Sequence, residues 1–331
     1  MPTERAGQPP RQGKIVTFYS FKGGTGRTMA LANVAWILAA NGKKVLTADW
    51  DLESPGLHGF FQPYLHGGGR EKPGIIDFIR RFEWAALDAR INPEELHAGR
   101  EESRNAVAAL IDEHISRIDD YAIELNWEFP GGGALYFLSP GNQVNDDYQA
   151  TLSALGWDNF YDNLYGAQFL DAFREHVKQE YDYALIDSRT GLSDIASICT
   201  VHLPDVVVDC FTLSVQGIEG AAMTATAIRE HAGRDITIFP VPMRVDHTYE
   251  GDVRHGMAYA AAQFEGFLTQ MSEEEQHRYW AEVEVPYVPA YAYEEKLAAV
   301  GEPPDSQAKL LPCYERITAR ITGERSGRFP P

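Results

Sequence analysis

Apolar positions along this chain follow two rhythms. Short unbroken apolar runs recur, and between them lie longer stretches with apolar residues every three to four positions. The first run, Ile15-Val16-Thr17-Phe18-Tyr19, predicts a strand over 14–19. Further runs predict strands over 43–49, 134–138, 183–187, 205–211 and 236–241. Helical spacing falls over 29–40, over 160–180 through Phe160, Leu164, Phe169, Phe173 and Val177, and over 217–231 and 254–270. Asn41-Gly42 supplies a left-handed stop for the first helix. Strand and helix alternate. That order predicts an α/β fold, a three-layer sandwich with a mostly parallel twisted sheet and helices on both faces.

One stretch, 59–134, breaks the rhythm. Gly67-Gly68-Gly69 and Gly131-Gly132-Gly133 bracket it, and its apolar spacing at 75–79 and 107–118 is helical. It reads as a partly helical insertion in a single domain over 14–331, and as the natural place for partner specificity. Its tryptophans, Trp84 and Trp127, pack a core or face a partner; Trp36, in the first helix, reads as core. Residues 1–13 are polar, with two prolines in tandem, and read as a disordered lead-in without the apolar core of a signal peptide. No stretch is long and apolar enough to span a bilayer. The amphipathic segment over 310–321 carries Pro312 and mixed charges, and reads as a final helix packing on the core.

Charge narrows the partners. The chain has 48 acidic against 29 basic residues, a net charge of −19, which disfavours nonspecific DNA binding. Its three cysteines, Cys199, Cys210 and Cys313, lie far apart and read as reduced thiols of a cytoplasmic protein. The ten histidines show no metal-ligand spacing.

The candidate chemistry sits at strand ends. Between the first strand and the first helix lies Phe21-Lys22-Gly23-Gly24-Thr25-Gly26-Arg27-Thr28. Glycines there let successive backbone N–H groups turn inward, and the helix start adds partial positive charge; together these cradle phosphates. A plain turn joining strand to helix is the competing reading. Arg27 takes the place where such loops carry lysine, Lys22 is an additional cation, and Thr28 offers a hydroxyl to Mg²⁺. Asp51 leaves the end of the second strand, suited to orienting an attacking water, with Asp49 as its support or merely the strand's last residue. Asp187 ends an apolar strand and precedes Ser188-Arg189-Thr190-Gly191; a carboxylate so placed holds Mg²⁺ directly or through water. Gly191 suits a loop that moves when a γ-phosphate leaves. Each aspartate alone is also a common turn former.

These segments resemble the MinD/ParA-type ATPases. Residues 22–28 are similar to their deviant phosphate loop, Asp49-Trp50-Asp51 to their first switch, and 185–191 to their metal-binding strand end and second switch. Val285-Pro286-Tyr287-Val288-Pro289 resembles the late segment beside the nucleotide base. The resemblance spans roughly 14–300 and is poor over 59–134. It implies an ATP- and Mg²⁺-dependent switch that forms sandwich homodimers and is read by a partner protein. In it, Gly23, Gly24, Thr25, Gly26, Arg27, Thr28 and Met29 hold the chain's own nucleotide, while Lys22 reaches the partner's phosphates. Lys22, Arg27 and Asp51 are the catalytic candidates; Thr28, Asp51 and Asp187 are the metal candidates. Arg244, after the 236–241 strand, and Pro289 fall near the base. Arginine at 27 departs from the usual lysine and resembles a KGGVGR-type bacterial subgroup; a slow or partner-stimulated ATPase follows. Two alternatives are a bacterial tyrosine kinase-like phosphotransferase, though the C-terminal tail lacks the tyrosine cluster such kinases carry, and a non-hydrolysing nucleotide-gated scaffold.

Overall fold

A computed structural model describes residues 12–66, 69–89, 100–191, 193–302 and 309–323. Most of the predicted lead-in and the end of the C-terminal tail lie outside them. Gly13, placed in the lead-in by its sequence context, is buried and donates its N–H to Lys178 O at 2.9 Å.

Seven strands form one sheet: β1 (Lys14–Tyr19), β2 (Lys44–Asp49), β3 (Ala122–Glu124), β4 (Ala134–Leu138), β5 (Tyr183–Asp187), β6 (Val206–Phe211) and β7 (Thr237–Pro242). Their order is β3-β4-β2-β5-β1-β6-β7, and every pairing is parallel except β3 with β4. The unbroken apolar runs are explained by this: β1, β2, β5 and β6 are buried on both sides.

Helices cover both faces. On one lie α1 (Arg27–Ala40) and α2 (Leu57–Phe61), later joined by α12 (Ala298–Gly301) and α13 (Leu311–Thr322). The other face carries α3 (Ile75–Asp88), α4 (Glu101–Ile115), α5 (Tyr148–Ala154), α6 (Trp157–Asn163) and α7 (Gly166–Glu180) on one half. After a short α8 (Asp194–Ser197), the second half of that face carries α9 (Val215–His231), α10 (Glu250–Phe264) and α11 (Glu273–Val283). The final amphipathic helix packs on the core as its pattern predicts: Cys313, Tyr314, Ile317 and Ile321 are buried beside α1. Among the described residues no helix is long and apolar enough to cross a membrane.

Helix α1 is buried almost all round, because alanine side chains let the sheet and α13 approach closely. It stops at Asn41–Gly42: Gly42 takes the left-handed φ of 80°, and its N–H reaches Ala39 O at 2.9 Å.

Two elements depart from the pattern. The helix expected over 160–180 breaks, because Tyr165 adopts a left-handed φ of 61° and Gly166 presses on Phe160. A Cβ at Gly166 would stand 2.4 Å from that ring, so the chain turns there and α6 folds against α7. Strand β3, inside the stretch read as helical, is three residues long, too short to carry a period-two pattern. The rest of that stretch is mostly helical, and α3 stacks its Phe82 on Phe169 of α7 at 4.2 Å between ring centres.

Candidate nucleotide site

Strand β1 lies in the middle of the sheet, between β5 and β6, so its carboxyl end opens into a crevice. The glycine loop leaves β1 there. Gly24 and Gly26 take left-handed φ values of 74° and 93°, which favour glycine, and Gly26 directly precedes α1. The loop walls a cavity of about 650 Å³. Gly23 through Met29 line it, with Ser20, Asp51, Ser54, Thr190 and Arg244. Its apolar part comes from Met243, Val285, Pro286, Tyr287, Val288, Tyr291 and Tyr314.

Arg27 does not point into open space. Its side chain is buried under the loop. Nε donates to Asp187 at 2.6 Å and one terminal nitrogen donates to Asp51 at 3.1 Å. One guanidinium thus joins the ends of β2 and β5, and the two carboxylates hold it firmly protonated. Asp187 is fully buried; burial pushes its carboxyl above the usual range, against the opposing pull of Arg27 and of a hydrogen bond with Thr28. Asp49 has a different task. Its carboxylate accepts from the N–H groups of Asp51, Gly56 and Leu57 at 3.1–3.2 Å, which pins the loop running from β2 to α2. Burial, and then the nearby Asp187, raise it well above the ordinary value.

Three buried side-chain atoms at the site lack a partner: Thr25 Oγ1, Arg27 Nη1 and Asp187 Oδ2. Unpaired buried polar groups are costly, so their presence together at a cavity marks a place built for added acceptors and a cation. One guanidinium against Asp49, Asp51 and Asp187 leaves the floor short of positive charge. The Thr28 hydroxyl and the carboxylates of Asp51 and Asp187 are hard oxygen donors, the set that suits Mg²⁺.

Most residues singled out from the sequence therefore come together. Two do not. Lys22 is exposed, bonds to Gln216 at the start of α9, and stands outside the cavity lining. Pro289 is exposed and opens a short 3₁₀ turn, so Pro286 and Tyr287 take the cavity wall in its place. Other contributors were missed. Met243 follows β7 and a strand's carboxyl end is a sufficient signal for it. Phe60 and Glu295 carry no such signal, because chain folding far from the loop delivers them.

A glycine loop on a helix start, facing carboxylates at the ends of parallel strands, defines a nucleotide-binding α/β domain. The model of the CobQ/CobB/MinD/ParA nucleotide-binding domain family matches residues 16–200, more than half of the chain, and the chain belongs to that family. The fold is similar to that of a MinD from Pyrococcus horikoshii solved with Mg-ADP: TM-score 0.55, 17% identity, 94% of this chain and 98% of that one. It is likewise similar to a Cyanothece McdA variant solved as its ATP complex, with TM-score 0.57, 15% identity, and 96% and 98% of the two chains. An uncharacterized ATP-binding protein of Methanocaldococcus jannaschii is 50% identical over 46 residues, which is 14% of this chain and 18% of that relative's length.

Proposed function

We propose that this protein is an ATP-binding switch, a slow or partner-stimulated ATPase that dimerises when loaded and is read by a partner protein in the cytoplasm. The observation that carries it is the glycine-walled cavity with the Arg27–Asp187–Asp51 network on its floor. Loop amides bind phosphate oxygens, and the apolar wall from Val285 to Tyr291 takes the base. Thr28, Asp51 and Asp187 hold Mg²⁺, which supplies charge neutralisation at the phosphates. Asp51, at the cavity surface, orients the attacking water. Arg27, anchored on both carboxylates, positions them. Lys22 leaves Gln216 to reach the neighbouring protomer's nucleotide.

That anchorage also favours a second reading. A guanidinium already committed to two carboxylates contributes less to transition-state charge, so a non-hydrolysing nucleotide-gated scaffold fits the same geometry. One experiment separates them: solution mass with and without MgATP, with phosphate release, for wild type, Lys22→Ala and Asp51→Ala. The switch reading expects ATP-promoted dimers and slow release in wild type, no dimer for Lys22→Ala, and a persistent ATP dimer without release for Asp51→Ala. Dimers without any release favour the scaffold. Equal mass with and without ATP overturns both.

A further inference from the structure

Arg244 is held in place more tightly than an exposed arginine requires. The backbone around it is tied to two neighbours: Met243 N–H donates to Phe211 O at 2.7 Å, Val245 N–H to Val285 O at 3.0 Å, and Tyr287 N–H to Val245 O at 2.9 Å. Between those anchors Arg244 takes a left-handed φ of 55°, one of two non-glycine residues with positive φ among the described residues. Such a conformation persists in a non-glycine residue only where its surroundings impose it, and it clusters at ligand clamps.

Its side chain lies along the glycine loop. Its Cγ stands 4.0 Å from where a Cβ on Gly26 would be. One guanidinium nitrogen donates to Gly24 O at 2.7 Å, and the group lies over Tyr287, 4.8 Å from the ring centre. Arg244 lines the cavity, and no carboxylate among the described residues pairs with it. Of the other two cations, Arg27 is buried on Asp187 and Asp51 with one terminal nitrogen left unpartnered, and Lys22 sits on Gln216 outside the cavity. A guanidinium carries five N–H donors in a fork that matches phosphate, and a charged oxygen outcompetes a neutral carbonyl.

We propose that Arg244 is the cation that contacts the nucleotide's phosphates within the same chain. On loading, its guanidinium leaves the Gly24 carbonyl for phosphate oxygens, and Arg27 remains on the carboxylates. This rests on the nucleotide reading above.

The test is a set of binding titrations with MgATP, MgADP and adenosine, on wild type, Arg244→Gly and Arg244→Lys. Glycine accepts the left-handed backbone, so Arg244→Gly keeps the wall in place, and an unchanged melting temperature verifies that. The expected result is a loss of about tenfold or more for MgATP and MgADP in Arg244→Gly, the size of a lost charge-assisted hydrogen bond. Adenosine affinity stays unchanged and Arg244→Lys recovers part of the loss. Unchanged MgATP affinity in Arg244→Gly, or an equal loss for adenosine, overturns the proposal; the latter assigns Arg244 to the base alone. Failure of the nucleotide reading looks different: wild type then binds no MgATP, and this proposal falls with it.

Discussion

On either side of β1 lies a fully buried aspartate near the carboxyl end of a strand. Asp187 of β5 pairs in register with Phe18, and Asp209 of β6 with Tyr19. Their surroundings differ completely. Asp187 has Arg27 and Thr28 as partners, and Asp51 shares its guanidinium. Neither oxygen of Asp209 has a partner, and burial alone holds its carboxyl well above the ordinary value. A buried carboxylate at a strand end is thus not by itself a site. A charged partner distinguishes Asp187 from Asp209, whose carboxyl oxygens have none among the described residues.

The largest test of that contrast is Arg27→Ala. It strands Asp187 and Asp51 in a buried floor without their counter-ion. Breaking a buried pair by removing one partner costs about 3–5 kcal/mol. Urea unfolding at neutral pH should show a loss of that size, with partial recovery in Arg27→Lys, whose point charge cannot reproduce the forked contact. A loss under about 1 kcal/mol would mean that the network does not hold the strand ends together, and that Asp187 differs little from Asp209.

Asp209→Val should move stability the other way. Because the folded carboxyl lies above the unfolded value of 3.8, folding takes up a proton. The stability linked to that group is full below the unfolded value and is lost as pH rises through the raised folded value. Valine removes this slope and extends the run Val206-Val207-Val208. At pH 8 the variant should be more stable by about 1–3 kcal/mol, the cost of an unsatisfied buried polar group. The gap should narrow as pH falls toward 4. Destabilisation at pH 8 would show that Asp209, like Asp187, has a partner.

The same contrast marks how far the sequence can be read. Strands β1, β2, β5 and β6 are legible because strands buried on both faces leave unbroken apolar runs, and the glycine loop because few other structures need that spacing. Asp187 is separable from Asp209 there, because it ends its apolar run while Asp209 lies inside one, but only packing reveals that Asp187 faces a guanidinium. Arg27 reads as a phosphate cation, since sequence shows its charge but not its direction. Arg244's reach to Gly24 depends on a left-handed backbone at 244, which an arginine codon does not announce. The break at Tyr165 is hidden for a similar reason, since the apolar period runs straight through it.

The smallest effect belongs to the outer link on the Asp187 side. Arg189, two residues beyond Asp187, pairs with Glu53, two residues beyond Asp51, at 2.5 Å. That joins the same two strand-end loops that Arg27 joins from below. The setting is different: the Arg189 and Glu53 side chains are 32% and 47% exposed, where water screens the attraction and ordering two long side chains offsets it. Glu53→Gln should therefore change unfolding stability by no more than about 0.5 kcal/mol, and raising the salt concentration should erase even that. In the Arg27→Ala background the effect should stay as small, because the outer pair cannot replace a buried counter-ion. A loss of about 2 kcal/mol or more on Glu53→Gln would place the tie between the loops at the surface, and the buried network would no longer be what separates the two sides of β1.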